Sequence, residues 1–357
     1  MSSIATIREL ATRLFLACRV PQQDAVTAAS VIVSAELRDI PSHGMLRLPD
    51  YVRMLQQGRI NPAARPRVMH QTPSTALLDG DNGLGAVVSV KAMELAIEKA
   101  VRAGTGWVAV NNSNHFGIAA YYAMQALGHD MIGICMTNAN PLVAPTFSAA
   151  GLLGTNPIAV AVPAGKQAPV VADFATASIA RGKVDLLHRQ GLPIREGFVQ
   201  ESSGMTSTDP GVLKRGGAIR PLGSSREFGS HKGYCLGAIV DLLSAVLSGA
   251  NFGPFVPPSV AYLPLKEDLP GKGTGHFFGA MRIDAFRPAS AFRDMMDQWI
   301  STLRQAKPAR GEEKVLIPGD PERQAEARNS KGGIVLMENV KQEIARLCEE
   351  TGVSCPW

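Results

Sequence analysis

Apolar residues at the start of the chain recur every three to four positions. Ile7, Leu10, Leu14, Ala17 and Cys18 share one helical face, with Ser3 placed to cap it. A second helical pattern, rich in Ala and Val, runs from about Asp24 to Arg38. A third begins near Gly44 and continues through LRLPDYVRML. Pro49 lacks an N–H, so the third helix is expected to start or bend there. After Pro73 the period changes. Thr75–Leu78, Trp107–Val110, Met131–Met136, Ile158–Val162 and Pro169–Ala172 are short apolar runs expected as strands. Ser89–Ala103, Tyr121–Leu127 and Gly233–Leu247 have helical spacing. Asn251–Gly275, rich in Pro and Gly, is a long functional or connecting loop, and Arg304–Arg310 a surface connection. The end returns to helix, with Val340, Ile344, Leu347 and Cys348 on one face. Met124, Met136 and Cys235 fall in apolar patterns and are expected in the core.

Strands alternating with helices predict an α/β or mixed α+β fold. The helical patterns at both ends suggest one domain built from the two termini, with an insertion between them. The length of 357 residues exceeds one ordinary core and agrees with about two domains.

Charge changes the picture little. The net charge is +5, but Lys and Arg are scattered among acids, so no basic stripe for nucleic acid forms. The densest basic stretch, with Arg59, Arg65 and Arg67 around Pro62 and Pro66, reads as a solvated loop. A mildly positive surface favours anionic substrates. The five cysteines are odd in number and widely spaced, without CxxC, which argues against disulfide frameworks and metal clusters and for reduced thiols of the cytoplasm. The N-terminal apolar pattern is interrupted by charges, unlike a signal peptide, and no run is long enough for a membrane span.

The candidate chemistry lies in polar clusters. No GxGxxG follows a strand, so a nicotinamide cofactor would have to bind outside the Rossmann scheme. In Ser42-His43-Gly44-Met45-Leu46-Arg47, residues four apart would share a helical face. Arg47 offers a fork for a carboxylate and His43 a proton near neutrality, a pairing that suits a 2-oxo acid. On spacing alone a capping serine with a surface His and Arg is the commoner arrangement. Asn111-Asn-Ser-Asn-His115-Phe116-Gly117 lies between a strand and a helix, where backbone N–H groups favour phosphate or simply cap the helix. Gly154-Thr155-Asn156-Pro157 precedes a strand, and Asp173-Phe-Ala-Thr-Ala-Ser178 follows one. Gly229-Ser230-His231-Lys232 opens a long apolar helix. Asp173 could be an Asx turn and Lys232 a solvated charge. His70, His129 and His188 have no partner at ligand spacing and are expected on the surface. His276 could line a pocket or sit at a strand edge.

The ordered set SHGMLRLPDYV, NNSNHFG, LGTNPIAVAVP, DFATASIARGKV and SHKGYCLGAIVDLL resembles the non-Rossmann malate/L-lactate dehydrogenase family from about Glu9 to Arg323. Its relatives include ureidoglycolate, sulfolactate and diketogulonate oxidoreductases and a branch reducing Δ1-piperideine-2-carboxylate. The resemblance implies a mainly helical domain from 1–75 and 288–357, carrying Ser42, His43 and Arg47, around a cofactor-binding α/β domain at 76–287. It implies NAD or NADP as cofactor, no metal, a small anionic 2-oxo or 2-hydroxy acid as substrate, and a homodimer or larger homo-oligomer. By position, Ser42 and His43 match the relay serine and proton-donating histidine, and Arg47 and Thr155 match substrate contacts. His115, Phe116, Gly117, Ile118 and Ala119 match one cofactor strip, and Asp173, Phe174 and Ala175 a second. His231 and Lys232 match a third, and the stretch containing Pro321 and Arg323 a closing segment. Two departures stand out. Lys183 occupies the place of an acid in the imine-reducing branch, which favours keto-acid chemistry over imine reduction. The aromatic expected after the Ala144-Pro145 turn is shifted to Phe147. A non-catalytic ligand-binding relative is the remaining alternative, and the intact polar set argues against it.

Overall fold

The computed structural model describes residues 2–357. Helices α1 (Ile4–Ala17) and α2 (Gln22–Leu37) open the chain. The Ser3 hydroxyl accepts the Thr6 N–H, satisfying one of the free donors of the first turn. Helix α3 (Leu48–Gln56) starts where Pro49 can occupy the first turn.

Strands β1 (Arg67–Gln71) and β2 (Thr75–Asp79) form a hairpin. Helix α4 (Gly85–Ala103) then leads to β3 (Thr105–Ser113), parallel to β2. The span Tyr121–Leu127 expected as one helix divides into α5 (Ala119–Ala123) and a 3-10 turn, Met124–His129. Strands β4 (Met131–Thr137), β5 (Ile158–Val162) and β6 (Val170–Phe174) follow as an antiparallel series. Helix α6 (Arg181–Gln190) precedes a small sheet of β7 (Val199–Gln200), β8 (Thr206–Ser207) and β9 (Ala218–Ile219). Helix α7 (Ser230–Asp241) continues into a π-helical turn, Leu242–Val246. Strand β10 (Thr274–Arg282) returns to the main sheet, and α8 (Ala289–Arg304), α9 (Asp320–Gly332) and α10 (Glu338–Thr351) end the chain.

The main sheet has seven strands in the order β1-β2-β3-β10-β4-β5-β6. Only β2 and β3 run parallel, so the fold is mixed rather than doubly wound. The last strand fills the centre, antiparallel to both β3 and β4. His276 is therefore fully buried on an interior strand and not at a strand edge. The pairing partners lie far apart in sequence, which hides such a strand from a local reading.

Two apolar layers meet at the site. Helices α4 and α5 pack on the sheet through Val88, Met93, Tyr122 and Phe278. The other layer joins the chain ends: Leu10, Leu14, Val52 and Ile60 share a cluster with Val340, Ile344 and Leu347 of α10. Other expectations need correction. Cys235 is exposed rather than in the core, because the α7 face that carries it meets solvent. Arg59 is part-buried and donates to the carbonyls of Val260, Ala261 and Leu263, so it ties down a distant loop instead of lying in solvent. His70 and His129 are exposed, and His188 is half-buried on α6. Among the described residues no helix is long and apolar enough to cross a membrane.

The shared cluster predicts that Ile344→Ala, at a fully buried position, lowers unfolding free energy by about 2–5 kcal/mol. Urea unfolding measures this; a loss under about 1 kcal/mol would mean the C-terminal helix is not part of the N-terminal core.

Candidate active site

The residues Pro41–Arg47 do not form the single helical turn that the spacing suggested. Pro41–His43 and Met45–Arg47 are two short 3-10 turns broken at Gly44, whose φ of −97° and ψ of −133° lie outside the helical region. His43 and Arg47 still meet, because Arg47 turns back. Its Nε donates to the Ser42 carbonyl at 3.2 Å, and its Nη1 pairs with Asp50 at 3.3 Å. The Ser42 hydroxyl lies 2.9 Å from His43 Nδ1. That leaves Nε2 as the imidazole atom with no protein partner among the described residues. Burial first, and the Arg47 charge second, hold the His43 pKa at about 4, so the ring is neutral at pH 7.

His115 follows β3 and stacks on His43, with ring centroids 5.5 Å apart and planes 24° apart. Tyr51 lies 2.6 Å from His115 Nδ1. Burial pushes the Tyr51 phenol up, so it stays protonated and donates. His115 Nδ1, which also receives the Gly117 N–H at 3.4 Å, is the acceptor, and the ring proton sits on Nε2. Burial, then Arg47 and His43, hold the His115 pKa well below the usual value. Tyr51 escaped the motif reading, although it lies one helical turn beyond Arg47.

Behind this pair, the His276 ring stacks on Phe116 at 4.9 Å. Thr137 donates its hydroxyl hydrogen to a carbonyl, so it accepts from His276 Nδ1 at 2.7 Å, and His276 Nε2 accepts from Ser113 at 2.8 Å. Both ring nitrogens are satisfied, and burial holds this pKa at about 3. His276 is a neutral support for the loop that carries His115. Gly117, at φ +82°, completes that loop against Val31 of α2, where a Cβ would crowd the valine.

Three of the strips expected at a cofactor come together. Asp173 Oδ2 accepts the Ala120 N–H at 2.8 Å, next to Ala119 at the start of α5. Burial raises the Asp173 pKa to about 6, opposed by that N–H and by Arg38. The segment before α9 runs along β6: Val171 donates to Pro318, and Arg323 donates to the Pro169 carbonyl at 2.6 Å. Arg323 also pairs with Asp320, one residue before Pro321. Arg38, buried and paired with Glu326, keeps an Nε donor with no partner. An unpaired buried donor close enough to Asp173 to lower its pKa suits the polar part of a ligand such as a nicotinamide nucleotide. Thr155 and Ala175 flank Thr176, whose N–H donates to the Thr155 carbonyl at 2.9 Å. His231 and Lys232 make no hydrogen bond to these strips: His231 accepts from Arg226 at 2.6 Å, and Lys232 is exposed at the start of α7. Lys183 is exposed too, one residue beyond Gly182, which abuts Ser42. Among the described residues no three His, Cys, Asp or Glu side chains are grouped to hold a metal.

Comparison with known proteins identifies the family. A family model described as malate/L-lactate dehydrogenase matches residues 2–345. A malate dehydrogenase of Pyrococcus abyssi is 40% identical over 334 residues, covering 93% of this chain and 90% of the relative. An L-sulfolactate dehydrogenase of Methanocaldococcus jannaschii is 39% identical, covering 94% and 92%. The crystal structure of malate dehydrogenase from Entamoeba histolytica superposes with a TM-score of 0.92 at 32% identity, covering 100% of this chain and 99% of that one. Membership of a dehydrogenase family implies a nicotinamide cofactor. The chain belongs to the malate/L-lactate dehydrogenase family and is an oxidoreductase of hydroxy acids.

Proposed function

We propose that the chain interconverts a small 2-oxo acid and its 2-hydroxy acid, using NAD or NADP, with His43 moving the proton. The observation that carries this reading is the meeting of a neutral imidazole with an unshared Nε2 and a guanidinium one turn away. A nicotinamide nucleotide, when bound, supplies or takes the hydride. Asp173, the 115–119 loop and the segment carrying Pro321 and Arg323 would hold it, with His231 and Lys232 reaching it from α7. Arg47 binds the substrate carboxylate, and Thr155 contacts the substrate. Ser42 fixes the imidazole through Nδ1. In the oxidation direction His43 is already the neutral base that must accept the hydroxyl proton. In the reduction direction it must carry a proton. A carboxylate on Arg47 offsets the charge that helps hold the pKa near 4, so substrate binding itself favours the protonated ring.

A second reading gives the proton to His115. The 2.6 Å Tyr51 contact orients His115 as firmly as Ser42 orients His43, and its Nε2–H is equally unshared. The two variants separate the readings. His43→Ala should lower kcat by ~10²–10⁴-fold with nearly unchanged cofactor Kd, while His115→Ala chiefly weakens cofactor binding. The reverse pattern would transfer the proton role to His115. Turnover of pyruvate and oxaloacetate, but not of a cyclic imine, is expected in an absorbance assay with each nicotinamide. Turnover of the imine alone would overturn the keto-acid assignment.

The reading includes self-association. Residues 233–253 contain one charged side chain, Asp241, and it is buried. Ile239, Leu242, Val246 and Leu247 are exposed on the same stretch, Leu242 by 54%. A second copy of the chain would cover this uncharged face, as expected of homo-oligomer interfaces. Leu242→Asp should shift the mass measured by light scattering from dimer or larger to monomer; an unchanged mass places the interface elsewhere.

A further inference from the structure

The 41–47 segment is held from behind by one carboxylate. Glu36 stands one residue from the end of α2 and is 6% exposed. Its Oε1 accepts the Met45 N–H at 2.6 Å. Met45 opens the second 3-10 turn, so its own N–H has no partner within the turn. A Cβ on Gly44 would overlap this carboxylate, so the carboxylate fills the space of the missing side chain. The contact therefore sits at the break between the turn bearing His43 and the turn bearing Arg47.

We propose that Glu36 is a positioning residue that sets His43 relative to Arg47, by holding the Gly44–Met45 junction through its ionised carboxylate. The proposal rests on the reading that His43 moves the proton and Arg47 binds the carboxylate. A fixed junction matters because both groups act on one small molecule, and small misplacements of reacting groups are costly. The end of α2 is itself anchored, since Asn329 of α9 donates to the Glu36 and Leu37 carbonyls at 3.3 and 3.0 Å.

The charges around Glu36 are identifiable. Asp39 lies beyond it and is engaged by Arg328 of α9 at 3.4 Å. Arg38 turns away to Glu326. His43 and Arg47 belong to the turns it holds. The wall formed by Ile334, Leu336, Met337 and Val340 is apolar, and with Glu36, Asp39 and Arg328 it lines a cavity of about 260 Å³. Burial raises the Glu36 pKa to about 7, with Asp39 adding to the rise and the Met45 N–H opposing it. The charged form, which accepts the stronger hydrogen bond, is present above that pKa and lost below it. His43, held at about 4, supplies no inflection near neutrality in the free enzyme. Asp173, at about 6, titrates nearby, so the assignment depends on what changes when Glu36 is replaced.

The test is the pH profile of kcat/KM for hydroxy-acid oxidation, with cofactor Kd and thermal unfolding measured beside it. In the wild type, kcat/KM should rise through about pH 7 as Glu36 ionises. Glu36→Gln keeps an acceptor for Met45 but no charge. It should match the wild type at low pH, fall ~5–10-fold below it at pH 8, and lose that rise. Glu36→Ala should lose ~10²-fold in kcat/KM, with cofactor Kd unchanged. A Gln variant with the wild-type profile overturns the proposal. So does a folded Ala variant that melts earlier yet keeps kcat/KM within about 3-fold. Should Glu36→Ala fail to fold, the Gln profile alone decides. His43→Ala, run in parallel, keeps the two ideas separate: retained turnover there defeats the catalytic reading, whereas retained turnover in the Glu36 variants defeats only the positioning role.

Discussion

Strand β10 completes the main sheet by entering between β3 and β4. Until it does, neither neighbour has its ladder on that side, and open strand edges are unfavourable inside a core. The same insertion buries His276, which ties Ser113 at the end of β3 to Thr137 at the end of β4. Phe116 stacks on that imidazole, so the loop carrying His115 is placed by a strand that comes late in the chain. The closing step brings together partners far apart in sequence, and its entropy is regained only when the ladder and the polar ties form.

The site lies where this sheet meets the helical layer from the two chain ends. The end of α2 contributes Glu36, and Arg38 follows just beyond it; the first holds the 41–47 segment, and the second reaches Glu326 of α9. α3 carries Tyr51 to His115, linking the helical layer to the sheet. The result is a cluster of three neutral imidazoles beside one guanidinium. Burial keeps the rings uncharged, and Arg47 adds to that effect for His43 and His115. Arg47 already has Asp50 on one side, and a carboxylate ligand would be its second acidic partner there.

Much of the architecture was legible in local pattern. Helices α1, α2, α4 and α10 follow from apolar residues at helical spacing, and strands β2 to β6 from short apolar runs bounded by turn residues. Strand β10 was partly hidden. Its neighbours on both sides make it almost wholly buried, so no alternation marks it, and the Gly-rich stretch before it masks its start. The small sheet escaped because its strands are two residues long. Helix α9 is polar over most of its length and offers little apolar stripe, and α8 fully buries only Ile300. At the site, His43, Arg47 and His115 stood out as motif residues, while Tyr51 and Glu36 did not. Tyr51 sits among apolar residues of α3, and Glu36 ends an otherwise ordinary helix.

By itself the sequence determined the family, the mixed class and the identity of the polar clusters, because these depend on residue order and local period. Tertiary structure decided how the clusters face one another. The pairing of His43 with Arg47 is the clearest case. A spacing of four suggested one helix face, yet the backbone breaks at Gly44. What brings the two groups together is Arg47 reaching the Ser42 carbonyl and Glu36 filling the space at the break. Hydrogen bonds to backbone groups several residues away leave no periodic trace in a sequence, so only the folded chain reveals them.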